Sequence, residues 1–142
     1  MEQPSMVDDV ILNKAATIER CVRRAREEYA AAGNAFAGDY TRQDAAILNI
    51  QRACEAALDL GNHLIRVHRL GIPQSARDTF ELLATNQIIP ADLAQSMKKM
   101  VGFRNIAVHD YQSLLLPITE NILQNHLDEF LQLTHIVLTD RK

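Results

Sequence analysis

Apolar residues recur every three or four positions through five stretches of this chain, the repeat of amphipathic helices, and turn-forming residues separate the stretches. The first predicted helix covers about 5–32, with Ile11, Leu12, Ala15, Ile18, Val22 and Ala25 on one stripe, and Gly33-Asn34 offers a left-handed stop. Residues 35–40 read as a loop. Thr41-x-x-Asp44 then has the form of an N-cap followed by an acid in the first turn. The second helix carries Ile47, Leu48, Ile50, Ala53, Cys54, Ala57, Leu58, Leu64 and Ile65 to about Leu70, before Gly71 and Pro73. So much apolar surface marks a central helix. Ser75 caps a shorter third helix over 76–86, with Phe80, Leu83 and Ala84 inward. Pro90 opens a fourth at a position where a missing N–H is harmless, and Pro117 starts a fifth through Ile118, Ile122, Leu123, Leu127, Phe130, Leu131, Val137 and Leu138. The tail at 140–142 should fray. The pattern predicts an all-α, five-helix, up-and-down-like bundle and a single domain over 1–142.

The fourth helix breaks its own pattern. At about 100° per residue, Leu93, Met97, Met100, Ala107 and Val108 form an apolar stripe, yet Arg104 falls near 20° and Tyr111 near 0° on the same projection. An unpaired guanidinium does not belong in a core, so Arg104 should meet a carboxylate, line a cleft or point across a subunit interface. A stripe this polar predicts a homodimer with the fourth helix of both copies at the interface. His109 projects roughly 140° from Arg104, and one regular helix cannot aim both at a point. Either the helix ends close to His109, or two copies compose the site. A solvated histidine favoured by the helix dipole is the plain alternative. Asp44 and Asp110 are candidate partners of Arg104 and His109.

Composition narrows the setting. Five glycines, four prolines and no tryptophan in 142 residues, 47% of them hydrophobic, suit packed helices and exclude an all-β fold. No apolar run approaches the roughly 20 residues a bilayer requires, and the first ten residues are acidic rather than leader-like. Cys21 and Cys54 share no ligand or disulfide spacing, which fits a reducing cytoplasm without structural zinc. His63, His68, His126 and His135 have no metal-binding register with nearby acids. The 15 Lys+Arg against 18 Asp+Glu give a net charge of −3, an objection to a nucleic-acid binder that a locally positive cleft can meet. Arg20, Arg23, Arg24 and Arg26 alternate with Glu19, Glu27 and Glu28 as a salt-bridged face. Lys98 and Lys99 are better placed for phosphate contacts. Arg66, Arg69 and Arg77 could extend a basic track, although surface solubility is the better reading of them.

The run Gly102-Phe103-Arg104-Asn105-Ile106-Ala107-Val108-His109-Asp110-Tyr111 contains Arg-x4-His-x-Tyr, and it resembles the signature of the HepT toxins in the HEPN superfamily. The resemblance extends to 45–65 (AAILNIQRACEAALDLGNHLI) and to 88–101, in the expected order. It implies a metal-independent endoribonuclease that needs no cofactor, a cleft between two subunits, and restraint by an MntA-type nucleotidyltransferase antitoxin. It further implies transfer of AMP to Tyr111. His109 is then the acid/base, Arg104 the phosphate and transition-state binder, and Asn105 a substrate-positioning or supporting residue, with Lys98 and Lys99 contacting phosphate. The competing class is a non-catalytic helical module that binds the same partner; a nuclease active only when free of its antitoxin is a third.

Overall fold

A computed structural model of the protein describes residues 7–139, so the predicted start near Ser5 and the tail at 140–142 lie outside the described residues. Among the described residues six α-helices follow one another: α1 (Asp9–Ala32), α2 (Tyr40–His68), α3 (Ala76–Thr85), α4 (Ala91–His109), α5 (Leu116–Asn125) and α6 (Leu127–Leu138). Among the described residues there are no strands. The predicted fifth helix is two, because the chain leaves helical geometry at His126 (φ −126°, ψ −3°). Its Nδ1 meets Glu129 at 2.8 Å across the new first turn. The apolar stripe runs through the break unaltered, which is why periodicity alone joined the two.

Capping side chains set several boundaries. Asp8 accepts from the Ile11 N–H at 3.0 Å, and this bond holds its carboxyl below the usual range. At α2 the cap is Asp39, accepting from Arg42 N–H at 3.0 Å, rather than Thr41. The expected loop before it contains a 3₁₀ helix (Gly33–Gly38), whose Phe36 is buried edge-on against Tyr29 with ring centroids 4.8 Å apart. Ser75 caps α3 as expected, accepting from Asp78 N–H at 3.1 Å. Pro90 is itself the α4 cap residue, one position earlier than the pattern predicted, and α2 stops at His68 with Arg69 left-handed at φ 55°.

Cross-helix pairs fix the directions. His63 meets Asp8, Asp59 meets Lys14 and Arg42 meets Glu28, so α2 runs antiparallel along α1. The Glu28 carboxyl is buried, and its bond from Arg42 depresses its pKa. By the same logic α4 runs antiparallel to α3 through Glu81–Lys98 and Arg77 over Gly102, and to α2 through Asp44–Tyr111 and Glu55–Arg104. Gly61 is required where α2 meets α3: a Cβ there would stand 2.7 Å from the Thr79 methyl. The core joins Ile18, Ile50, Leu60, Phe80, Met97, Leu127 and Phe130, each at most 2% exposed. Truncating a buried phenylalanine such as Phe130 to alanine removes about 3–5 kcal/mol. Leu12, Leu48, Val108 and Ile118 were expected inside and are instead 40–52% exposed. Two of them, Val108 and Ile118, flank the end of α4 and the start of α5.

Candidate active site at the end of helix α4

Helical geometry carries α4 through Arg104 and Asn105 to His109 and stops there, because Asp110 takes φ −153° and ψ 59°. Arg104 meets a carboxylate, as its place in an apolar stripe required. The partner is Glu55 of α2, not Asp44: Nε lies 3.5 Å from Oε2, inside ion-pair range but outside hydrogen-bond geometry. The Arg104 Nη1 donates to the Asn105 Oδ1 at 3.1 Å. Beneath it lies Cys54, buried, whose thiol is pushed up to about 12 by burial and only partly restrained by the Arg104 charge.

Tyr111 departs from its projected position because α4 has already ended. It opens a 3₁₀ turn (Tyr111–Ser113), and its hydroxyl donates to Asp44 at the start of α2. Burial of the hydroxyl and the bond to Asp44 push its pKa up to about 12, even though 43% of the residue is exposed. Asp110, the other acid considered, accepts from Ser113 Oγ at 2.5 Å instead of meeting His109. Asp44 and Glu55 stand eleven residues apart, about 20° apart on one face of α2. That register was legible in the sequence, but their targets, 67 and 49 positions downstream, were not.

His109 is exposed and has no hydrogen bond or ion pair with any described residue. The two lysines diverge. Lys98 is closed by an ion pair to Glu81 on α3, so its charge is already matched, whereas Lys99 borders an apolar groove of about 370 Å³ between α4 and α5. Met100, Phe103, Ile106, Leu115 and Ile118 line that groove. Neither lysine is brought to Arg104. Among the described residues no group of three or more His, Cys, Asp and Glu side chains is arranged to hold a metal ion.

The all-α bundle defines a class, the HEPN fold. The chain superposes on the tri-AMPylated HEPN toxin of Shewanella oneidensis, solved in complex with its MNT antitoxin, with a TM-score of 0.90 and 48% identity over 94% of this chain and 100% of that one. A toxin–antitoxin structure with AMP-PNP matches at a TM-score of 0.87 and 49% identity, over 92% of this chain and 99% of that chain. The mRNA nuclease HepT of Shewanella oneidensis is 50% identical over 131 residues, 92% of this chain and 98% of that protein. The ribonuclease HepT-like family model matches residues 18–137. The chain belongs to the ribonuclease HepT-like family.

Proposed function

We propose that this protein, a single HEPN domain over 1–142, is a cytoplasmic, metal-independent endoribonuclease toxin with a site completed between two copies of the chain. The observation that carries the reading is the division of labour at the end of α4: Arg104 is held from behind by Glu55, while His109 stands exposed without a partner. RNA cleavage without metal requires removal of the 2′-hydroxyl proton, attack of that oxygen on the adjacent phosphorus, and protonation of the departing 5′ oxygen. His109 moves the proton, and the fixed Arg104 guanidinium stabilises charge on the pentavalent phosphorane. Asn105 is bonded to Arg104 through Oδ1, which keeps the guanidinium in place and leaves Nδ2 as a donor to substrate.

Two features favour a homodimer. Arg104 and His109 diverge on a regular helix, so one copy alone does not focus them on a single phosphate. Ile106, Val108, Leu115 and Ile118 are each at least 40% exposed around the same helix end, an apolar surface suited to burial by a second copy.

Restraint is assigned to a nucleotidyltransferase antitoxin that transfers AMP to Tyr111. The phenol, held by Asp44, follows His109 by two residues, and an added adenylate would bring negative charge and bulk to the end of α4. Purified protein should cleave RNA in the presence of EDTA and lose about 10²–10⁴ of that activity in His109→Ala, with melting unchanged because an exposed imidazole adds little packing. Intact mass after co-expression with the antitoxin should show adenylate on the parent and none on Tyr111→Phe. Tight antitoxin binding with no cleavage by the free protein would replace this reading with the helical interaction module.

A further inference from the structure

We propose that Arg77, on the first turn of α3, forms a second phosphate subsite that holds the RNA strand beyond the scissile bond; the proposal rests on the nuclease reading above. Lys98, Gly102, Asn105 and His109 follow the i, i+4, i+7, i+11 spacing, so they share one face of α4. The antiparallel course of α3 lays Arg77 over the second of these positions. Its Nη2 lies 3.0 Å from where a Cβ on Gly102 would stand. The glycine is what lets the guanidinium settle on the α4 backbone.

The neighbouring charges sharpen the choice. Glu81 is taken by Lys98, and Asp78 accepts from the backbone of Gln74 at 2.8 Å. Arg77 itself makes no hydrogen bond or ion pair with any described residue, although two carboxylates lie along its own helix. An exposed, unmatched guanidinium with its planar fork free is suited to grip two oxygens of a phosphodiester. Gly102 and His109 are seven residues apart, about 10 Å along the helix axis. Arg77 therefore addresses a phosphate other than the scissile one beside His109. It acts as a strand-holding residue, with no part in proton transfer.

The test measures cleavage of a single-stranded RNA of about ten nucleotides by the parent, Arg77→Ala and Gly102→Ala, together with anisotropy binding of a 2′-deoxy analogue. Arg77→Ala should raise KM about tenfold while kcat falls less than twofold. Loss of one phosphate contact should also make the slope of log affinity against log salt shallower by about 0.7. On a dinucleotide, too short to reach the subsite, the KM ratio should collapse toward one. Gly102→Ala should raise KM in the same direction while raising the melting temperature, since alanine favours the helix; a purely structural role for the pair would not split the two readouts. Parent KM and parent salt slope in Arg77→Ala, with cleavage intact, would overturn the subsite and leave the nuclease reading standing. Binding of the analogue that weakens in Arg77→Ala, by a parent that cleaves nothing, would keep the subsite and overturn the nuclease. No binding by the parent overturns both.

Discussion

The two sides of the last turns of α4 use their polar groups in opposite ways. Toward α2, Arg104 is matched by Glu55 and Tyr111 by Asp44, and the buried Cys54 thiol feels the Arg104 charge. Toward α3, Arg77 and His109 stand without partners among the described residues. The difference separates what must be positioned before a substrate arrives from what must remain free to meet it. A cation that stabilises a transition state gains by being fixed in advance, because nothing then reorganises during the reaction. A proton-transfer group must keep its lone pair available.

On the matched side, the largest effect should come from replacing the fixed cation. Arg104→Lys keeps the charge but loses the planar fork and the contacts to Glu55 and Asn105, and the nuclease rate should fall about 10²-fold, read by single-turnover cleavage. Rates near the parent's would mean that bare charge suffices and that the matched side is not preorganised for catalysis. A smaller loss, about tenfold in kcat with less change in KM, is expected for Glu55→Gln, which leaves Arg104 in place but removes the carboxylate that orients it. Equal losses in both parameters would assign Glu55 to binding rather than positioning.

The smallest effect is a titration. Tyr111 loses its proton near 12 in the folded protein and near its ordinary value of about 10 when unfolded. The unfolded chain therefore releases this proton first, and the stabilisation is full below pH 10 and lost as pH rises through 12. In Asp44→Asn the midpoint should move partway down, since burial, the larger cause, remains. Ultraviolet titration against Tyr111→Phe isolates the signal from Tyr29 and Tyr40. An unmoved midpoint would remove Asp44 as the group that holds the phenol.

Features carried by a single helix were the more legible in sequence. The helix does end at His109, one of the two readings its projection left open, and Arg104 was marked by its intrusion into an apolar stripe. Local periodicity could assign Arg104 a need for an anion but could not choose the anion, because Glu55 comes from another helix and is selected by the antiparallel register of α2 on α4. Tyr111 was misplaced for a related reason: projecting it assumed a helix that Asp110 had already ended. Lys98 looked free because its partner, Glu81, lies 17 residues earlier on α3. Arg77 was discounted because nothing local marks Gly102 as the ground beneath it.

Cys54 gives the matched side a timekeeper of its own. Only a thiolate reacts readily with alkylating reagents, and this thiol is both buried and held protonated to about 12. Labelling must wait until α2 and α4 part and water reaches the sulfur, so its rate counts openings of the helix pair that carries Arg104. Cys21, buried on α1, keeps a separate count for the neighbouring core. The interval between the two clocks separates a local parting at Arg104 from a loosening of the whole bundle.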